Sequence, residues 1–216
     1  STRKESSAAS DVYKRQLINR ARIVKNASGK VPLAINLLLR EYVGGQSWII
    51  YCDNITQLKK VLNGAIDAGF DAFEYYADME GDRDETLRYF SKNGGVLVSI
   101  KCLDEGVDIP STTHALILAS SQNPREFIQR RGRILRNSPG KLFAHLYDAI
   151  TVPVVETEET PKSMSIIIGE LSRAIEFGLG AENPACVTDL KNIAVDYQID
   201  YNSLQNTGIE EDDDND

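Results

Sequence analysis

The chain has 216 residues, with 24 Lys and Arg against 32 Asp and Glu, a formal net charge of −8, and 42% hydrophobic residues. That length suffices for one well-buried core or for one domain with an appendage. The composition is that of an ordinary soluble globular chain, and no apolar run approaches the ~20 residues of a membrane helix. The polar N-terminus is unlike a secretion signal, and a net negative chain is not a uniformly basic nucleic-acid coat. The charge is unevenly placed, however. Residues 210–216 hold six acids, and the rest of the chain carries 26 acids and 24 bases, so it is close to neutral. The three cysteines, Cys52, Cys102 and Cys186, are far apart and form no CxxC pair. Reduced thiols and an intracellular, cytoplasmic setting are therefore expected, without a zinc site or a disulfide framework.

Residues 1–16 are small and polar with no apolar period. They read either as translated adapter sequence, which would make the chain a C-terminal piece of a longer protein, or as a native disordered lead-in. From Val31 to Arg40 apolar residues recur at helical spacing, with Pro32 near the start, and Gly44-Gly45 ends the run. Ser47-Trp48-Ile49-Ile50-Tyr51-Cys52 is a short run of β-formers, a buried strand. Asp53 or Asn54 caps the next helix, which runs through Leu58, Val61, Leu62 and Ile66 to Gly69. A second strand is expected at Ala72–Tyr76 and a helix from Asp82 to Phe90, ending near Gly94-Gly95. Further strands follow at Val96–Ile100, His114–Leu118 and Leu142–Tyr147. His114 and His145 read as lone core or edge histidines. A linker, residues 151–161, leads to helices at Lys162–Leu179 and Pro184–Tyr197. On the first of these Ile166, Ile167, Leu171, Ile175 and Phe177 are placed to pack against the domain. The expected segmentation is 1–16 lead-in, 17–150 domain, 151–161 linker, 162–205 C-terminal helices and 206–216 acidic disordered tail.

Strands alternating with helices of ten to fifteen residues imply βαβ units and a parallel sheet covered on both faces. Ligands of such sheets collect at the carboxyl ends of the strands. Asp53, Ala77-Asp78, the loop from Lys101 to Pro110 and Ser120-Ser121 all fall on that edge.

Between the fourth and fifth strands stands Gln129-Arg130-Arg131-Gly132-Arg133-Ile134-Leu135-Arg136. Asn123 and Pro124 suit the cap and first position of a helix running from Arg125 to Arg136. Gln129, Arg133 and Arg136 are spaced to share one helix face. The stretch holds five arginines against Glu126, so it is locally basic within an acidic chain. Two guanidiniums and an amide on one rigid face suit a polyphosphate, because guanidinium offers forked donors and keeps its charge. A solvated basic helix face has the same composition.

The stretch resembles motif VI of superfamily 2 helicases. Upstream, Val98-Ser99-Ile100-Lys101-Cys102-Leu103-Asp104-Glu105-Gly106-Val107-Asp108-Ile109-Pro110 resembles motif V, one strand earlier as that family requires. Ser47–Cys52 resembles motif IV, and Tyr76-Ala77-Asp78-Met79 with Arg83, Leu87 and Phe90 resembles the segment after it. The resemblance covers about Pro32 to Ala149 and implies the second RecA-like lobe of a helicase or translocase. That fold is a three-layer α/β/α domain with a mainly parallel sheet, here with a C-terminal helical appendage. The resemblance further implies that Arg133 and Arg136 act as arginine fingers on ATP held with Mg²⁺ mainly by a first lobe, with Gln129 orienting phosphate or water. Gly106 and Asp108 would reach the nucleotide. Arg130, grouped with the ATP-binding residues, and Arg131 lie about 100° and 200° round the helix from Gln129, which suits structural or interlobe contacts. Strand contacts fall to Ser99, Lys101, Asp53, Asn54 and Asp78. Ile100 departs from the usual threonine of motif V, which shifts the expected hydroxyl contact to Ser99 and the charge to Lys101. The Arg-Ile-Leu-Arg ending is closer in style to bacterial XPB-like and restriction-type translocases than to DEAD-box RNA helicases, so DNA is the expected track.

No Gly-x4-Gly-Lys-Ser/Thr run occurs in the 216 residues. Ser28-Gly29-Lys30-Val31 and Pro139-Gly140-Lys141-Leu142 lack the earlier glycine and the following hydroxyl. No DEAD/DEAH box occurs either. The chain alone is therefore expected not to hydrolyse ATP. Two other readings stay open: a non-hydrolysing interaction module on the same fold, and an unrelated doubly wound enzyme binding a phosphorylated metabolite.

Overall fold

A computed structural model describes residues 21–100, 111–119, 141, 143–152, 161–183, 185–200 and 204. It divides into two compact units, residues 1–149 and 150–216.

In the first unit, α1 (Lys30–Glu41) buries Ala34, Leu37 and Leu38 along one stripe and ends where Tyr42 turns extended. The strand β1 (Ser47–Cys52) follows, with all six residues buried. Asn54 caps α2 (Ile55–Asp67), its side chain accepting from the Gln57 amide. Leu58, Val61, Leu62 and Ala65 form the buried stripe of α2. Ile66, expected on that stripe, is 51% exposed, because at ~100° per residue it lies one step past Ala65 and off the face. The strand β2 (Ala72–Tyr75) leads to α3 (Arg83–Asn93), whose N-cap Asp82 accepts from the amides of Asp84 and Glu85. Gly94 and Gly95 then turn the chain into β3 (Gly95–Ile100) with φ of 76° and 110°. A Cβ at Gly95 would sit 2.6 Å from the Asp71 carbonyl oxygen, and one at Gly94 equally close to that of Gln46. Only glycine fits both the space and the positive φ there.

The strands β4 (His114–Ile117) and β5 (His145–Asp148) complete a five-stranded sheet of order β2-β3-β1-β4-β5, with every pairing parallel. Alternate residues of β1 enter different clusters. Trp48, Ile50 and Cys52 join Leu38, Leu58, Val61 and Leu116 on the face covered by α1 and α2. Ile49 and Tyr51 join Tyr75, Phe90, Leu97 and Ile117 on the other. A strand covered on both faces reads as a continuous apolar run, which is why β1 was legible end to end.

His114 and His145 are not lone residues. The register places Trp48 opposite His114 and His114 opposite His145. Their rings stack at 4.5 Å and 4.6 Å between centroids, within 9° of parallel, and Tyr147 stacks on Trp48 from the other direction.

In the second unit, α4 (Pro161–Leu179) and α5 (Ala185–Asp196) share a cluster in which Ile167, Leu171 and Ile175 meet Val187, Ala194, Ile199 and Leu204. Gly178 lets the helices approach, since a Cβ there would lie 2.9 Å from Val187. The buried Glu170 accepts from the Thr151 amide at 3.0 Å and pairs with Arg173. This ties the segment before α4 to the helix.

Candidate functional site

In a parallel sheet all the strand ends that face a ligand lie along one edge. The order β2-β3-β1-β4-β5 brings the residues after β2, β1 and β4 together there, with the chain leaving β3 at Ile100 between Asp78 and Asp53. Asp78 is exposed, and Asp53 and Asn54 are partly buried. Ser99 is fully buried and its hydroxyl donates to the Ile100 carbonyl at 3.2 Å, so it sits beneath the edge. A strand contact from it would require the following segment to open. Lys101, Gly106, Asp108, Gln129, Arg130, Arg133 and Arg136 lie outside the described residues.

The best-defined arrangement stands where β1 gives way to α2. The Asp53 carboxylate accepts from Asn26 Nδ2 at 2.9 Å and from Asn54 Nδ2 at 3.2 Å, and lies 3.8 Å from the Lys25 ammonium. Asn54 also donates to Asn26 Oδ1 at 2.7 Å. Gln57, buried within the first turn of α2, accepts from the Asp53 amide at 2.8 Å and donates to the Lys25 carbonyl at 2.9 Å. Asn54-Ile55-Thr56-Gln57 thus has the spelling of a capping box, but the glutamine reaches back to Asp53 rather than to the cap residue itself. The effect is to fasten residues 25 and 26 onto the end of β1.

A cleft of about 640 Å³ opens beside this network, lined among others by Arg22, Asn26, Ser28, Asn54, Thr56 and Lys60. Two cations, several amide and hydroxyl donors and the positive end of a 13-residue helix converge on it. That chemistry fits an anionic oxygen such as a backbone phosphate. Asp53, already satisfied by Lys25, Asn26 and Asn54, holds the wall rather than repelling the ligand. Burial, with the neighbouring Asp53 carboxylate, pushes the Cys52 thiol up to about 12, so it serves as core and not as a nucleophile.

Lys25, Asn26 and Gln57 escaped the sequence reading. The capping-box spelling pointed to Gln57. Nothing local points to Lys25 and Asn26, which come from a stretch without periodicity and meet Asp53 across 27 residues of chain in the case of Asn26. Asn54→Ala is expected to cost about 1 kcal/mol through loss of the cap; chemical denaturation would check this, with Asn54→Ser retaining most of it.

Residues 29–138 match the helicase conserved C-terminal domain family. A putative ATP-dependent RNA helicase of Methanocaldococcus jannaschii is 32% identical over 103 residues, covering 44% of this chain and 13% of that protein. The DNA 3'-5' translocase XPB2 of Sulfurisphaera tokodaii is 40% identical over 63 residues, covering 28% of this chain and 14% of that protein. The chain thus spans about an eighth to a seventh of the length of these curated relatives. Among solved structures, the C-terminal domain of the DEAD-box protein Dbp5 superposes with a TM-score of 0.53 at 18% identity, over 69% of this chain and 81% of that one. It agrees in fold with the parallel sheet described above. The family match, the RecA-like sheet and the order of the motifs converge: this chain belongs to the helicase conserved C-terminal domain family, as the C-terminal lobe of a superfamily 2 helicase.

Proposed function

We propose that this lobe is the second half of an ATP-driven nucleic-acid motor. The observation that carries the reading is the polar, cation-flanked cleft at the carboxyl end of β1, in a chain whose family is that of helicase C-terminal domains. In this reading Asn54, the α2 amino terminus, Arg22 and Lys60 take the sugar-phosphate strand, and Asp53 orders the wall. Asp78, Lys101 and Ser99 extend the contact along the edge. The helix carrying Gln129, Arg133 and Arg136 faces a nucleotide cradled by another lobe. There the two guanidiniums stabilise charge on the transferring phosphoryl group and Gln129 orients phosphate or water. Gly106 and Asp108 reach the ribose, and Arg130 contributes beside the interlobe face. Magnesium belongs with the phosphates on the other lobe, since no three His, Cys, Asp or Glu side chains cluster as a metal set among the described residues.

The named relatives include both an RNA helicase and a DNA translocase. The Gln-Arg-Arg-Gly-Arg-Ile-Leu-Arg spelling favours DNA as the track.

The purified 216-residue chain should bind a single-stranded oligonucleotide with salt-dependent affinity and hydrolyse ATP no faster than background. Joined to a lobe carrying a P-loop, it should support turnover stimulated more by DNA than by RNA. Nucleic-acid-stimulated turnover by the chain alone would overturn the division of labour. Absence of oligonucleotide binding would favour the protein-interaction module, and tight binding of a small phosphorylated metabolite instead would favour the metabolic enzyme.

A further inference from the structure

Among the described residues of the first unit, Lys30 is the one buried charged side chain whose head group is set against the sheet edge. It is 4% exposed, and its ammonium donates to the backbone carbonyl of Leu118. Taking a cation out of water is costly, and an apolar residue would anchor the start of α1 at less cost. Something about this position repays an ammonium, and its neighbours indicate what.

Leu118 is the first residue past β4, and its amide donates to the Tyr51 carbonyl at 3.0 Å. It is thus held by β1 through its amide and by Lys30 through its carbonyl. The chain leaves the sheet there and enters Ser120-Ser121-Gln122-Asn123-Pro124, the approach to Gln129, Arg133 and Arg136. On its other side Lys30 is the first residue of α1, and its amide donates to the Ala27 carbonyl at 3.0 Å. Residues 22, 26, 27 and 28 line the cleft beside Asn54. One residue therefore joins the wall of the cleft to the point where the arginine-bearing segment departs, across 88 positions of sequence.

We propose that Lys30 is a positioning residue that couples occupancy of the cleft to placement of the arginine segment. A strand seated against Asn26 and Asn54 steadies residues 22–28, and Lys30 transmits that constraint to the Leu118 carbonyl. The direction in which the chain leaves β4 is then set for the face bearing Arg133 and Arg136. The proposal rests on the two-lobed motor reading above.

The test is made in the full two-lobed protein. Lys30→Met keeps the length and apolar stem and removes the donor, while Lys30→Arg keeps a cationic donor. With Lys30→Met, nucleic-acid-stimulated kcat should fall by about ten- to a hundred-fold, the cost of misplacing a catalytic group by a fraction of an ångström to an ångström. Oligonucleotide Kd and unstimulated turnover should stay within about two-fold, and Lys30→Arg should recover most of the stimulation. If Lys30→Met does not fold, as judged by its melting transition, Lys30→Gln replaces it and must show the same split. Equal stimulation in the variant and the natural sequence overturns the coupling role. So does a loss of binding and turnover in step with loss of folded protein, which marks Lys30 as a structural anchor only. If the motor reading itself is wrong, the natural sequence shows no stimulation at all, an outcome distinct from either.

Discussion

Replacing Arg133 by alanine in the two-lobed protein is expected to lower nucleic-acid-stimulated ATP turnover by about 10³-fold or more, with oligonucleotide affinity largely kept. The magnitude follows from what a guanidinium does at a phosphoryl group in transfer. It meets charge that is greatest in the transition state, so its removal lowers kcat far more than it weakens nucleotide binding. Arg133→Lys should recover little, because an ammonium is a point charge without the planar fork. Arg136, one turn further along the face, should behave alike, while Arg130, about 100° from Gln129, should cost much less. Steady-state kinetics with and without oligonucleotide separate these cases. Unchanged turnover in Arg133→Ala would remove the finger assignment and, with it, the main argument for a motor over an interaction module.

Some of this architecture was open to a reader of the sequence and some was not, for physical reasons that differ by element. The strand Ser47–Cys52 was legible to the residue because it is the middle of a sheet covered on both faces, where every position must be apolar or satisfied. The caps Asn54 and Asp82 were legible because the side chains that replace missing helical partners are few. The last strand was expected from Leu142 to Tyr147, whereas β5 occupies His145–Asp148. Its length is set by its partner: β4 offers only His114–Ile117, and the ladder pairs those four with 145–148. Phe143, apolar and in sequence a fair strand residue, is left 64% exposed. Both the cleft and the aromatic ladder depend on long-range register, which local periodicity does not encode. Asn26 meets Asp53, and Trp48 meets His114 and His145, only once the strands are aligned. The motif residues from Lys101 to Asp108 and from Gln129 to Arg136 were legible by spelling and order, and their roles rest on that spelling and on the family to which the chain belongs.

Acidification should destabilise the first unit through His114, and the size of the effect is set by the ladder. Burial first, and then the imidazole of His145 stacked against it, lower the pKa of His114 from 6.5 to about 4, while Glu41 opposes them weakly. Its Nδ1 lies 2.8 Å from the Thr113 hydroxyl, which can donate to a neutral ring. Because the folded value is depressed, the unfolded chain takes up a proton at a higher pH than the folded one. The contribution is therefore intact above about 6.5 and is lost as pH falls toward about 4. Fully developed, it amounts to about 3 kcal/mol, a large fraction of the stability of an ordinary domain. Carboxylates paired in the native state also lose stability in acid, so the comparison must isolate the imidazole. His114→Phe preserves a flat ring between Trp48 and His145 and cannot titrate. Denaturation midpoints at pH 7 and pH 4.5 should fall markedly further for the natural sequence than for His114→Phe. His145→Phe should give an intermediate loss, since it removes the neighbouring cation but leaves His114 buried. Equal losses in the natural sequence and His114→Phe would show that the stack tolerates a charged imidazole, and that its role is packing alone.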